Sequence, residues 1–331
     1  MDARASDRVR PPARYLDLDR PLESRRQSGF DGSRRASKSW TPLRQERLSV
    51  RGIEPIVQDR AGDREIGSTR PRSGSLAIGL GQSGYLIRAA HGLLVVDPYL
   101  SEHLTAKYAG TARPHVRMTR APLRGSDLNG VDLVLSSHKH SDHLDPGTLP
   151  DLMASSPGSV LVLPEAILEY AAALGLPRER LIGVDAGGAV ERCGFRVRAV
   201  PSAHEGLDRD ERGRHLYLGY VIESEGLRLY HSGDSLAYEG LAEALGPAPF
   251  DVLFLPINGR DPARGVPGNM NAAEAVDLAA RVRPRFVVPH HYDMFTFNTV
   301  PIEEFEAEAR RLPAGVSARI LRCGERWEVG T

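Results

Sequence analysis

Cysteine is scarce in this chain of 331 residues, which contains only Cys193 and Cys323. Two cysteines cannot form a disulfide framework, and neither stands in a spacing typical of metal-binding cysteines. A cysteine content this low fits a reducing compartment, so we expect a cytoplasmic protein.

Long apolar runs are missing as well. No stretch approaches the roughly 20 apolar residues of a membrane-spanning helix, and the amino terminus lacks the apolar segment of a signal peptide. Net charge is also missing, because 43 Lys and Arg residues balance 43 Asp and Glu residues. These absences give no reason to expect binding to nucleic acid or stable association with a membrane.

Residues 1–73 differ in composition from the rest of the chain. They contain 17 Lys or Arg against 11 Asp or Glu, with many Ser and Pro and few apolar clusters. Such a segment buries too little apolar surface to offset the entropy that it loses on ordering. We therefore predict a disordered basic extension over residues 1–73 and a folded domain over residues 74–331.

From residue 75 onward, short apolar runs alternate with amphipathic stretches and glycine-containing turns, a pattern typical of strands and helices in alternation. The predicted strands cover residues 76–80, 85–89, 93–96, 131–135, 159–163, 181–184, 189–192, 195–200, 217–223, 227–231, 251–255 and 285–289, with two more around Ile320 and Trp327. The predicted helices cover residues 165–174, 236–245, 271–281 and 302–312, the third beginning with a capping box at Asn271 and Glu274. Residues 101–128 are predicted to form a loop over the active site.

The most informative stretch is residues 135–145, which reads L-S-S-H-K-H-S-D-H-L-D. It places His138, His140, Asp142 and His143 directly after an apolar, β-branched run that predicts a buried strand. Beyond the strand end a tight turn can aim all four side chains at one point. Imidazole and carboxylate are ligands of zinc, manganese and iron, and one metal needs only three or four of them. Four donors in one loop therefore indicate two metals.

This segment resembles the signature of the metallo-β-lactamase fold hydrolases, a superfamily with two metals. V-P-S-A-H around His204, Y-H-S-G-D-S around Asp234 and V-V-P-H-H-Y-D around His291 follow in matching order. The last two, together with P-A-R-G-V-P-G-N-M, are most similar to the ascorbate-6-phosphate lactonase-like group. The resemblance implies an α/β fold of the four-layer αββα type, in which all metal ligands lie at the edge where strands end.

The resemblance also assigns the metal ligands. His138, His140 and His204 would hold one metal, and Asp142, His143 and His291 the other. Asp234 would bridge the two, because a carboxylate offers two oxygens. Asp97 would support the metal loop, and His231 would lie behind the ligands. Zinc and manganese are the expected metals, and iron suits the same donors.

The ligand set predicts a hydrolytic mechanism. Water between two divalent cations is acidified from a pKa of about 15.7 toward about 7, which provides hydroxide at neutral pH. The predicted catalytic residues are Asp142, Asp234 and His231, and Asp142 would also pass a proton to the leaving alkoxide.

The expected partner is a small anionic substrate, a lactone or related ester. Its predicted contacts are Asn258, Arg260, Arg264, Asn269, His290 and Tyr292. The alternatives are a phosphodiesterase of the N-acyl-phosphatidylethanolamine phospholipase D type, a thioesterase, and a non-hydrolytic metal-binding or redox module on the same fold. The protein could also form a homo-oligomer.

Overall fold

The computed structural model describes residues 75–265 and 268–329, together with the backbone of residues 15–17. Apart from the three-residue strand at positions 15–17, the predicted disorder of residues 1–73 lies outside the described residues. Within the described part of the chain, no helix combines the length and the apolar character needed to cross a membrane.

Fifteen strands are present in the described residues. They are β1 (Tyr15–Asp17), β2 (Ser75–Gly81), β3 (Gly84–Ala89), β4 (Gly92–Val96), β5 (Leu133–Leu135), β6 (Val160–Pro164), β7 (Leu181–Val184), β8 (Ala189–Arg192), β9 (Phe195–Pro201), β10 (Leu218–Ser224), β11 (Leu227–His231), β12 (Val252–Pro256), β13 (Phe286–His290), β14 (Ser317–Ala318) and β15 (Arg326–Val329). Every strand predicted from an apolar run between residues 76 and 289 is confirmed, with bounds that shift by a few residues at most.

The described part of the chain contains six α-helices. They are α1 (His103–Lys107), α2 (Leu149–Ser155), α3 (Leu168–Ala173), α4 (Leu241–Leu245), α5 (Ala272–Val282) and α6 (Ile302–Ala309). Strand order is β15-β2-β3-β4-β5-β6-β7 in one sheet and β1-β8-β9-β10-β11-β12-β13-β14 in the other.

The central strands are apolar at consecutive positions, so one face of each sheet packs against the other sheet and the opposite face packs against helices. Leu133, Leu135 and Val162 of the first sheet share one buried core with Tyr220 and Phe254 of the second. The intervening residues point outward, where α2 and α3 cover the first sheet and α4, α5 and α6 cover the second. The predicted four-layer αββα sandwich is confirmed.

Three predicted segments differ from the structure. The strand expected around Ile320 is the two-residue β14, which ends at Ala318. The helix expected over residues 236–245 begins only at Leu241, because Gly240 precedes it in the left-handed region at φ 88°. The loop expected over residues 101–128 contains helix α1, whose five residues are too few for a clear apolar period in the sequence.

The register of the strands brings distant segments to one edge. Tyr85 pairs with Val96, and Val96 pairs with Leu135, so the turn at residues 81–84, Asp97 and the loop after β5 lie side by side. In the second sheet, β11, β12 and β13 run parallel, and their carboxyl ends form a second group. The candidate site lies where these two groups meet.

Candidate metal centre

Seven predicted ligands come together at this edge. Three overlapping groups have potential ligand atoms that all lie within 4.8 Å of one another. These groups are His138, His140 and His204; His138, His143 and Asp234; and Asp142, His143 and His291. The first and third match the two predicted ligand sets, and the second shares His138 with the first and His143 with the third and adds Asp234.

Several atoms of this cluster are buried without a hydrogen-bond partner in the described structure. They include His138 Nε2, His143 Nε2 and Asp234 Oδ1. A buried polar atom without a partner costs about 1 to 3 kcal/mol, and three of them in one group is a large concentrated cost. Divalent cations accept imidazole nitrogen and carboxylate oxygen, so the residues present fit such a metal.

Asp234 contacts residues from both ligand sets. One carboxylate oxygen lies 3.2 Å from His143 Nε2, and the other lies 3.7 Å from His204 Nε2 and 3.3 Å from His291 Nε2. Only glycine fits at position 233, which lets the backbone turn and place Asp234 in the cluster. The φ of 59° is costly for other residues, and a Cβ there would lie 2.6 Å from Ser137 Cβ.

Asp97 fixes the start of the metal loop, which we define as residues 136–145. Its fully buried carboxylate accepts hydrogen bonds from Ser137 N at 2.7 Å and from Ser137 Oγ at 2.6 Å. The same carboxylate lies 2.7 Å from His143 Nδ1. An imidazole bound to carboxylate through Nδ1 presents Nε2 to the cluster, an arrangement common among metal-ligating histidines.

Burial keeps three of the histidines neutral. It lowers the pKa of His138 well below the ordinary value, with neighbouring histidines adding to the effect. It also lowers the pKa of His140 to about 4, and that of His204 to a smaller extent. Neutral imidazole is the form that binds metal, so these three side chains are ready to bind metal at neutral pH.

His143 shows the opposite shift. Burial alone would lower its pKa, but the carboxylates of Asp234, Asp97 and Asp142 raise it well above the ordinary value. The imidazoles of His143 and His291 in turn outweigh burial and hold the pKa of Asp234 well below the ordinary value. Positive charge beside these carboxylates is therefore favourable, and a divalent cation held by the cluster would supply it.

Gln82 is a site residue that the sequence analysis missed. It is buried, and its Nε2 lies 2.8 Å from Asp142 Oδ2 and 3.1 Å from His291 Nε2. The backbone carbonyl oxygen of Gln82 also accepts a hydrogen bond from the backbone N–H of His291 at 2.9 Å, which supports the left-handed backbone of His291 at φ 63°. The available signal was a polar residue in the turn between two buried strands.

His231 and His290 lie directly behind the ligands. Both are fully buried, and their rings stack with centroids 4.9 Å apart. His231 Nδ1 accepts a hydrogen bond from Gly233 N, and its Nε2 donates to the carbonyl of Ser83 at 2.8 Å. Neither histidine lines the cavity described next. His231 lies behind the predicted ligands and supports the turn that leads to Asp234. A direct catalytic role of His231 stays a prediction.

A cavity of about 430 Å³ opens above the cluster, within the size range of small-ligand sites. Gln82, His140, Asp142, His204, Asp234 and His291 form its floor. The wall contains Leu104, Lys107, Tyr108 and His115, which belong to the segment predicted to lie over the active site. The remaining lining residues are Lys139, Ser141, Tyr170, Phe295 and Asn298.

None of the six predicted substrate contacts lines this cavity. Arg260 donates two hydrogen bonds to the carboxylate of Glu274, at 2.8 and 2.6 Å. Arg264 Nη1 donates to the carbonyl of Asn258 at 2.6 Å. Tyr292 donates to the carbonyl of Leu321 at 2.8 Å. These groups are occupied by partners within the protein.

The two predicted asparagines are connected to the cavity through a chain of hydrogen bonds. Asn269 Nδ2 donates to Asn258 Oδ1, and Asn258 Nδ2 donates to Asn298 Oδ1, both at 3.0 Å. Only Asn298 reaches the cavity. The pair therefore supports the wall, and His290 lies below the floor, where Ser83 Oγ contacts its Nδ1 at 2.9 Å.

Comparison with known proteins agrees with this fold. The family model described as the beta-lactamase superfamily domain matches residues 94–292. The chain is 31% identical over 255 residues to a UPF0173 metal-dependent hydrolase of Opitutus terrae. The alignment covers 75% of this chain and 97% of the relative. The chain is 30% identical over 263 residues to a UPF0173 metal-dependent hydrolase of Pyrococcus furiosus, with 76% and 97% covered.

Among solved structures, Igni18, a metallo hydrolase from Ignicoccus hospitalis, superposes with a TM-score of 0.57 at 20% identity. The match covers 78% of this chain and 99% of that one, and at this identity it shows the fold alone. Fold and matched region define a protein of the metallo-β-lactamase superfamily. Within it, the chain belongs to the UPF0173 family of metal-dependent hydrolases. The nearer likeness to the lactonase-like group stays a prediction.

Proposed function

We propose that this hydrolase binds two divalent metal ions, zinc or manganese, and cleaves a small anionic lactone or related ester. The observation that carries the proposal is the group of imidazole and carboxylate atoms at the base of the cavity, which converge in three overlapping groups and several of which are buried without a hydrogen-bond partner in the described protein. His138, His140 and His204 would hold one ion, and Asp142, His143 and His291 the other, with Asp234 shared between them.

The metal ions would lower the pKa of bound water toward about 7 and polarise the substrate carbonyl. The chain's own residues contribute position and proton transfer. Asp142 is the carboxylate best placed for the proton, because its side chain is 16% exposed and lines the cavity. Gln82 Nε2 donates a hydrogen bond to Asp142 Oδ2 at 2.8 Å, which fixes the orientation of this carboxylate.

The test combines metal removal with a substrate screen. The purified protein is treated with a chelator, analysed for metal, and reloaded separately with zinc, manganese or iron(II). Each form is assayed on lactones, carboxylic esters, phosphodiesters and thioesters. We expect the metal-free protein to be inactive and a reloaded form to hydrolyse a lactone or ester. Full activity without metal, or turnover of phosphodiesters or thioesters alone, would contradict the proposal.

A further inference from the structure

Lysine is nearly absent from this chain, and its positions are informative. Of the 43 Lys and Arg residues, only Lys38, Lys107 and Lys139 are lysine. Lys38 lies outside the described residues. Both lysines of the described domain line the cavity above the metal cluster, and none of its arginines does. The chain therefore uses a different cation at this cavity from the one that it uses elsewhere.

Arginine serves the fold in the rest of the domain. Arg180 donates hydrogen bonds to the carbonyls of Met153, Ser156 and Pro157, and Arg260 binds Glu274 through two nitrogens. The planar guanidinium suits such fixed contacts, whereas the ammonium of lysine is a compact charge on a flexible stem. A flexible cation can adjust to a ligand that binds and dissociates.

The ammonium groups of the two lysines are not held by carboxylates of the described residues. Both side chains are exposed, and neither forms an ion pair with a carboxylate of the described residues. Lys107 Nζ lies over the ring of Tyr108, 5.3 Å from its centroid, and donates no hydrogen bond to the described residues. Lys139 lies between His138 and His140 in the chain, so its backbone is fixed by the cluster while its side chain remains at the rim.

The wall beside the lysines is aromatic. The ring of His115 stacks on Tyr108 with centroids 4.2 Å apart, and it meets Phe295 edge-on at 5.1 Å. All three side chains line the cavity, and 45%-exposed Tyr170 stands at its rim. A planar or apolar group of a ligand can pack against these rings.

We propose that Lys107 and Lys139 bind an anionic group of the substrate remote from the bond that is cleaved, while Tyr108, His115 and Phe295 hold a planar part of the same molecule. This inference rests on the proposed function, and it names the recognition elements for the substrate class. Two divalent cations would exceed the charge of Asp142 and Asp234, so the loaded cavity would also favour an anion.

A matched pair of esters tests the proposal. The substrates are 4-carboxyphenyl acetate and 4-carbamoylphenyl acetate, which differ only in the charge of a group remote from the ester. For the metal-loaded double variant Lys107→Gln, Lys139→Gln we expect KM for the charged ester to rise about tenfold, since charge-assisted contacts are lost. KM for the neutral ester should change by less than about twofold. Conversion of both lysines to arginine should restore much of the selectivity.

The control is Arg281→Gln, which removes a positive charge at the exposed carboxyl end of α5, away from the cavity. It should leave KM for both esters within about twofold of the wild type. An equal rise for both esters in the double variant, or the same rise in Arg281→Gln, would overturn the proposal.

A binding measurement separates this inference from the proposed function. If the protein hydrolyses neither ester, calorimetry with 4-hydroxybenzoate and 4-hydroxybenzamide tests the lysines without turnover. We expect the wild type to bind the charged compound more tightly, and the double variant to lose about tenfold of that preference. An unchanged preference would refute the role of the lysines whatever reaction the protein catalyses.

Discussion

Two loops at the same edge of the sandwich differ in how their polar side chains are used. The metal loop after β5 carries buried imidazoles whose Nε2 atoms have no hydrogen-bond partner in the described protein. The loop after β12 carries Arg260 and Arg264, whose guanidinium groups bind Glu274 and the carbonyl of Asn258. Both loops looked functional in the sequence. The difference teaches that a candidate metal site is marked by several imidazole and carboxylate atoms that converge on one point without hydrogen-bond partners.

The largest contrast is expected between two adjacent histidines. His291 faces the cluster, whereas His290 lies behind it with Ser83. His291→Ala should bind less metal and retain less than about 1% of the activity, because a ligand is lost. His290→Ala should keep its metal but lose about 2 kcal/mol of unfolding free energy through the cavity it leaves. Metal content and denaturant unfolding measure both effects, and the reverse pattern would contradict the register described here.

Gln82 extends the comparison to a residue that supports ligands. Gln82→Ala should lower metal affinity or kcat by about 10- to 100-fold, since Asp142 and His291 lose their shared partner. Titration of the metal-free variant with zinc measures the affinity directly. Gln82→Glu adds a negative charge beside Asp142, so it should lower kcat without weakening metal binding. Wild-type affinity and kcat in Gln82→Ala would show that the contact is incidental.

Gly233 tests the close packing beneath Asp234. Gly233→Ala should lower the unfolding free energy by roughly 2 kcal/mol or more, because strain from the left-handed φ adds to the clash with Ser137. Gly213→Ala is the matched control, since Gly213 has a φ of 78° with nothing within 4 Å of an added Cβ. It should cost about 1 kcal/mol. Equal losses in urea unfolding would remove the packing argument.

The smallest effect is expected in the loop after β12. Arg260→Ala breaks an ion pair whose arginine side chain is 48% exposed, so the unfolding free energy should fall by only about 0.5 kcal/mol. Its effect on KM for an anionic ester should be smaller than that of the Lys107 and Lys139 substitutions. A larger KM effect at Arg260 would restore the prediction made from the sequence.

The fold and the cluster were predictable because their signals are local. Short apolar runs identified the strands, and the six residues from His138 to His143 contain four potential metal ligands, three His and one Asp. The capping box at Asn271 and Glu274 was also predicted and is confirmed. Each of these patterns depends on side chains a few positions apart, which a sequence displays directly.

The rest depends on contacts between distant segments. Arg260 meets Glu274 only because the loop folds back onto α5, where Glu274 also caps the helix. Gln82 reaches His291 across 209 positions through the register of two sheets. Lys107 reaches the cavity on a helix too short to be predicted. No local pattern distinguishes these residues from ordinary surface positions.

Elemental analysis of the metal content tests the central claim most directly, because it asks whether the atoms left without partners hold metal. The account predicts about two divalent cations per chain in the reloaded wild type. In Asp234→Ala both should bind more weakly, since this carboxylate contacts ligands of both sets. A wild type with one ion or none, or an Asp234→Ala protein that keeps two tightly bound ions, would contradict it.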